Sequence, residues 1–298
     1  MKDRVTPLLQ GRVIRSHGHQ YYVLTGDQVL QCRPRGKFRL AGEQVLAGDV
    51  VEVQPTAAGE GYIVAVLPRQ SLLAKPPVAN ADYVLLVYTA REPDLDLRMV
   101  DRLLVVVEAS GLEAVLCLNK LDLLSPGEIE EATRIYRSIG YPVFTTCAWS
   151  GDGVEKLSAH LRGKSVVLAG QSGVGKSRLL NALVPGAKLR TGEVSARLQR
   201  GRHTTRHVEL LRLPGGGLVA DSPGFTFLDL SHLKKEELAT CFVEFGPSAD
   251  ACRFATCLHR REPSCGVKVA VREGAIATSR YEHYLEFLEE IIALPPRY

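Results

Sequence analysis

The spacing of apolar positions changes character along the chain. Between residues 12 and 67 they alternate with a period of two in short runs: RVIR (12–15), QYYVL (20–24), QVLQCR (28–33), DVVEV (49–53) and GYIVAVL (61–67). Turn signals such as Gly26-Asp27 and Gly48-Asp49 separate the runs. Such alternation gives each strand one buried face. Five short strands in succession predict a small closed all-β barrel, of which the OB-fold is the commonest design. RPRGKFR (33–39) would be a basic loop on it, and the proline-rich PRQSLLAKPPVAN (68–80) reads as a linker.

From Asp82 the apolar runs become continuous and alternate with helical periodicity. Strands are predicted at 83–88, 113–119, 141–146, 165–170, 207–213 and 217–224. Helices are predicted near 95–109, 125–138, 153–161 and 176–183. Six strands with interleaved helices call for a doubly wound α/β sheet. Beyond residue 231 the strand signals stop. A helix is expected at KKEELATCFVEF (234–245), and another at SRYEHYLEFLEEII (279–292). The expected domains are therefore 1–68, 69–230 and a mainly helical 231–298.

Composition refines this picture. A chain of 298 residues, 45% apolar, is large enough for several domains with real cores. Runs such as YVLLVY (83–88) are too short to span a bilayer, and MKDRVTPLLQ lacks the apolar stretch of a secretion signal. A cytoplasmic monomer with no membrane partner is the expectation. The net charge of +4 is unevenly spread: residues 188–212 hold seven Lys or Arg against Glu193 and Glu209, which points to a polyanionic partner.

Two motifs carry nucleotide chemistry. GQSGVGKS (170–177) fits the phosphate-loop pattern through Gly170, Gly175, Lys176 and Ser177, and it follows a predicted strand and opens a predicted helix. Its glycines let backbone N–H groups surround a phosphate; Lys176 reaches β- and γ-oxygens, and the Ser177 hydroxyl is a Mg²⁺ ligand. CLNKLDLL (117–124) places Asn119, Lys120 and Asp122 as a guanine-binding loop. The Asp122 carboxylate can accept from both N–H donors of guanine, a pair that adenine lacks. The guanine loop nevertheless precedes the phosphate loop, the reverse of the usual GTPase order. The remaining elements follow in permuted order. Cys147-Ala148-Trp149 is a loose match to the S-A-K loop whose backbone contacts guanine. Thr204 and Thr205 are candidate switch threonines, and Asp221-Ser-Pro-Gly224 is D-x-x-G. Asp221 would hold Mg²⁺ through water, and the Gly224 amide would sense the γ-phosphate. Close natural termini permit such a rearrangement, with RGKS (162–165) as the bridge. Phe225, after D-x-x-G, cannot orient water, so His203 in GRHTT is the candidate catalytic residue.

Near the C-terminus, Cys252, Cys257, His259 and Cys265 offer four ligands within fourteen residues, which suits a closed tetrahedral structural zinc. Cys32, Cys117, Cys147 and Cys241 read as packing residues. Arg33, Arg35, Lys37 and Arg39 on the barrel are RNA-contact candidates.

Together, GQSGVGKS, GRHTT, DSPGF, the permuted order, the barrel in front and the Cys/His loop behind resemble the RsgA (YjeQ) family of circularly permuted GTPases of bacterial small-subunit assembly. The resemblance implies an OB-fold, a GTPase and a zinc domain, with 16S rRNA and the 30S subunit as partners and subunit-stimulated hydrolysis of GTP driving release. It extends the nucleotide contacts to Leu121, Gln171, Ser172, Gly173, Val174 and Arg178, the last a departure from the small residue usual there. The alternative, an RNA-binding factor whose nucleotide site is regulatory with little turnover, is opposed by the complete Mg²⁺ set of Ser177, Thr204, Thr205 and Asp221.

Overall fold

In a computed structural model, residues 7–35, 44–56, 58–186, 208–221 and 229–295 are described, Asp221 by its backbone alone. They form two compact units. The first takes the described residues within Met1–Val84, Val154–Leu168 and Lys176–Phe225; the second takes those within Leu85–Gly153, Ala169–Gly175 and Thr226–Tyr298.

The first unit contains the predicted barrel. Strands β1 (Leu9–His17), β2 (Gln20–Thr25), β3 (Gln28–Pro34), β4 (Val50–Pro55) and β5 (Glu60–Val66) pair in the order β1-β2-β3-β5-β4, and β4 returns to β1. All of these pairings are antiparallel except β3 with β5. The inward positions Val13, Val23, Leu30, Cys32, Val51, Val53 and Ile63 form the core. At Gly61 a Cβ would lie 2.6 Å from Val53 Cγ1, so only glycine lets β5 approach β4 this closely. The supposed linker is a hairpin of β6 (Leu72–Ala74) and β7 (Pro77–Ala79). Asn80 holds it: its Oδ1 accepts from Gln70 N at 2.8 Å and its Nδ2 donates to Gly48 O at 3.1 Å. Prolines at a strand start or edge are compatible with pairing, which their number in the sequence concealed.

The same unit holds β11 (Ser165–Ala169) through its residues to Leu168, followed by α4 (Lys176–Leu183), β12 (Glu209–Arg212) and β13 (Leu218–Asp221). Strand β13 is parallel to β11 and antiparallel to β12, whose Glu209 pairs with Arg15 of β1. The bridge from α3 (Val154–His160) to β11 is a tight turn, with Gly163 N donating to Gly216 O at 3.0 Å and Lys164 N to Leu161 O at 3.1 Å.

In the second unit β8 (Tyr83–Tyr88), through its residues from Leu85 on, β9 (Glu113–Asn119) and β10 (Val143–Thr146) lie in the order β10-β9-β8. Their central residues are buried, as strands covered on both faces require. Helix α1 (Leu97–Ala109) starts on the Asp96 cap, and α2 (Pro126–Ser138) on a Ser125–Glu128 capping box. The helix expected at 234–245 is replaced by 3-10 turns at Leu238–Cys241 and Val243–Phe245, then α5 (Gly246–Ala249). Phe242, at φ −105° and ψ 87°, interrupts the helical path. Packing decides this: Phe242 and Phe245 stack at 5.1 Å and both meet Tyr284 edge-on, so tertiary contact overrides local propensity. Helix α6 (Gly266–Arg272) was not signalled by the sequence, whereas α7 (Thr278–Ala293) was.

A buried ion cluster joins these elements. Arg280 of α7, 1% exposed, pairs with Asp101 of α1 at 2.9 Å and donates from Nε to Glu244 at 2.7 Å. Tyr136 OH of α2 donates to Asp101 at 2.9 Å, and His283 Nδ1 lies 2.6 Å from its other oxygen. Removing one partner from such a group strands the opposite charges in a medium that solvates them poorly. Arg280→Leu is expected to cost about 3–5 kcal/mol, read as a lower urea midpoint, whereas loss of the exposed Arg98–Glu286 pair should cost under about 1 kcal/mol.

Candidate nucleotide site and metal centre

The phosphate loop leaves the carboxyl end of β11. Gly170, Gly173 and Gly175 have φ of 138°, 87° and 95°, values that side chains disfavour. At Gly170 a Cβ would sit 2.1 Å from the Val87 carbonyl, and at Gly175 it would sit 2.4 Å from Asn119 Nδ2. The glycines therefore serve packing as well as phosphate access: the loop lies hard against β8 and against the guanine loop. Gln171 reaches Asp96 at 3.5 Å, while Ser172 and Gly173 are exposed and Val174 is buried. Lys176 and Ser177 open α4, with Arg178 exposed on its first turn.

Asn119 ends β9, 1% exposed. Its Nδ2 donates to the Val174 carbonyl at 2.9 Å, and its Oδ1 accepts from Thr146 Oγ1 at 3.0 Å and Ala148 N at 3.1 Å. One side chain thus ties its own segment to two others far apart in the sequence. Lys120 follows in the left-handed region, φ 65°, with its ammonium donating to the Glu92 carbonyl. Leu121 and Asp122 lie in a 3-10 turn, with the Asp122 carboxylate exposed. The Cys147 thiol donates to Asp122 Oδ1 at 3.1 Å. Cys147 is thus more than a packing residue. Its thiol fixes one oxygen of the Asp122 carboxylate. The Ala148 amide is already directed at Asn119, so a contact to guanine there would be shared.

Asp221 ends β13; its side chain, together with His203, Thr204, Thr205 and Gly224, lies outside the described residues. Of the basic barrel loop, Arg33 and Arg35 are exposed, and Arg35 donates to Gln54 at 3.3 Å; Lys37 and Arg39 lie outside the described residues.

The structure brings Cys252, Cys257, His259 and Cys265 together, with one ligand atom of each within 4.8 Å of the others. Cys252 Sγ is 3.8 Å from Cys265 Sγ, and His259 Nδ1 is 3.5 and 3.4 Å from these two sulfurs. Tetrahedral zinc with ordinary bond lengths sets S–S edges of about 3.8 Å and S–N edges of about 3.5 Å. The cluster fits structural zinc. Burial lowers the His259 pKa, keeping the ring neutral, and Gly266 N donates to Cys252 Sγ at 3.3 Å. Glu262 is a supporting residue that the sequence reading missed. Burial alone would raise its carboxyl pKa, but amides of Leu258, Arg260 and Arg261 at 2.8–2.9 Å hold it below the usual range. Tyr281 and Tyr284 of α7 donate to the His259 and Leu258 carbonyls, each at 2.7 Å.

Comparison with known proteins adds an independent line. Residues 66–231 match the model of the RsgA GTPase, and residues 10–63 that of the RsgA N-terminal domain. The chain belongs to the RsgA family. It is accordingly a GTP hydrolase. The small ribosomal subunit biogenesis GTPase RsgA of Moorella thermoacetica is 49% identical over 96% of this chain and 98% of that protein. Its namesake from a Geobacillus strain is 46% identical over 98% and 100%. Among solved structures, YjeQ from Thermotoga maritima is 40% identical with a TM-score of 0.86, covering 97% of this chain and all of its own. YloQ, a circularly permuted GTPase, is 36% identical with a TM-score of 0.85, covering both chains fully. The OB-like barrel, the permuted GTPase and the C-terminal Cys/His region are thereby established as this RsgA-family chain's architecture.

Two outcomes follow from the metal geometry. Cys252→Ser should remove stoichiometric zinc, read by atomic emission, and lower the thermal midpoint, as should chelation under denaturing conditions. Glu262→Gln should retain zinc yet lose it faster to a chromogenic chelator, because the amides lose a charged acceptor.

Proposed function

We propose that this RsgA-family GTPase acts in the cytoplasm as a monomer that binds the 30S subunit late in assembly, and that the subunit stimulates hydrolysis whose completion drives release. The observation that carries the reading is the Asn119 side chain. It holds the guanine loop, the Cys147-Ala148 loop and the phosphate loop in one constellation despite their permuted order. The curated relatives named as small ribosomal subunit biogenesis GTPases support the choice of partner.

In this reading residues 1–68 and 231–298 are the RNA-facing and zinc domains around a GTPase of 69–230. Asp122 reads guanine, with Lys120 and Leu121 beside the base. Residues 170–178 cradle the phosphates, Lys176 neutralises them, and Gly224 senses the γ-phosphate. Ser177, Thr204, Thr205 and Asp221 are the residues that would hold Mg²⁺, whose role with the nucleotide is to offset charge on the β- and γ-phosphates. His203 positions the attacking water. Arg33, Arg35, Lys37 and Arg39 contact 16S rRNA phosphates.

The test is GTP turnover with and without purified 30S subunits, together with co-sedimentation in GDP and in a non-hydrolysable GTP analogue. Subunit stimulation and tighter association with the analogue are expected; equal binding in both states ends the switch reading. Asp122→Asn should weaken GTP by at least about tenfold and favour xanthosine triphosphate, measured by competition binding. His203→Ala should bind nucleotide normally while losing most stimulated turnover, and an unchanged stimulated kcat removes His203 from the mechanism.

A further inference from the structure

Residues 89–95, between β8 and α1, carry none of the sequence motifs, yet they touch both loops of the candidate nucleotide site. The Lys120 ammonium of the guanine loop donates to the Glu92 carbonyl. On the other side, Pro93 Cδ lies 3.5 Å from the Cβ position of Gly173 in the phosphate loop. Glu92 itself has a φ of 53°, in the left-handed region that any residue but glycine enters at a cost. Such a conformation persists only where the surroundings over-determine it, and it is found preferentially at functional sites.

Polar contacts do the over-determining here. Thr89, 2% exposed, closes the turn: its Oγ1 donates to Arg91 O at 2.9 Å and accepts from Arg91 N at 3.4 Å. The Arg91 guanidinium then reaches across to α2, where Nε and Nη2 donate to Glu128 Oε1 at 3.1 and 2.6 Å. The other carboxylate oxygen accepts from Ser125 N and Oγ at 2.8 and 2.7 Å. A ring is thereby closed. Ser125 directly follows the guanine loop, Arg91 directly precedes Glu92, and the Lys120 contact joins the two segments again. The Ser125 amide and hydroxyl, then Arg91, hold the Glu128 carboxyl down to about 2, so this acceptor stays ionised in neutral buffer. Packing under the ring is incomplete: a cavity lined by Thr89, Leu95, Asp96, Gln171 and Val174 lies between the segment and the phosphate loop. The polar ties therefore fix the position of residues 89–95.

The Lys120 stem runs along the phosphate loop, its Cε 4.0 Å from the Cβ position of Gly175, and the Glu92 carbonyl anchors its far end. We infer that residues 89–95 brace the wall against which guanine binds, and that Arg91 is a positioning residue acting through Glu92 and Lys120 on the rate of nucleotide release. This rests on the reading above of Lys120 as a neighbour of the base. An exposed ion pair adds little to global stability, but the local opening of a loop requires only its own few contacts to break.

The experiment loads the intact protein with GDP bearing a fluorescent methylanthraniloyl group on the ribose, then follows its release into excess unlabelled GDP by stopped flow. Arg91→Ala should release nucleotide about three- to tenfold faster, with the thermal midpoint of the parent. Arg91→Lys keeps the charge but not the forked pair of donors, and should fall between the two. In a Lys120→Met background Arg91→Ala should add nothing, because its route to the base is gone. Release from Arg91→Ala within twofold of the parent overturns the inference and leaves the GTP site standing. So does an undiminished effect in the Lys120→Met background, which would make the change a general loosening. Parent protein that binds no GDP overturns both readings.

Discussion

The carboxamide of Asn119 is the contact on which the candidate nucleotide site depends. A backbone carbonyl of the phosphate loop, a threonine hydroxyl on β10 and an amide of the following turn all meet one buried side chain. A carboxamide offers both donors and an acceptor, so one residue satisfies partners of both kinds where a carboxylate or an amine could not. Burial raises the cost of leaving any of them unmade. The connectivity of the chain then matters little: the loops keep their mutual geometry although the segments that carry them come in a different order. Gly175 completes the contact, because the space a Cβ would take is filled by the amide itself.

A second constraint operates along α1. Asp96 caps its first turn and also meets Gln171 of the phosphate loop, while Asp101, one turn further on, is buried against Arg280, Tyr136 and His283. One helix therefore touches both the nucleotide loop and the C-terminal helix. Ions without access to water must be paired by well-aligned partners, so this contact tolerates little slippage. The Cys/His cluster hangs on the same C-terminal helix through the phenols of Tyr281 and Tyr284. The Cys/His cluster, aromatic packing and buried charge thus reinforce one another in a region with few regular elements of its own.

Much of this was legible in the residues. Period-two alternation located all five barrel strands, and the two motifs picked out loops that the fold brings together through Asn119, because backbone geometry imposes short-range residue requirements. The spacing of Cys252, Cys257, His259 and Cys265 signalled a metal cluster that the geometry bears out. Three features were not legible. The 3-10 turns at 238–245 depend on where Tyr284 packs. The hairpin at 72–79 depends on the Asn80 side chain. The roles of Cys147 and Glu262 exist only through partners that the fold supplies.

The division has a physical basis. Strand alternation, glycine at strained turns and the clustering of three cysteines with a histidine are local demands, and the sequence alone signalled them. Whether a phosphate loop can meet a guanine loop that precedes it, and whether Arg280 finds two carboxylates in the interior, are questions of long-range placement. Those answers came only from the tertiary structure, because hydrogen bonds and ion pairs act over a few ångströms in space and are indifferent to separation along the chain.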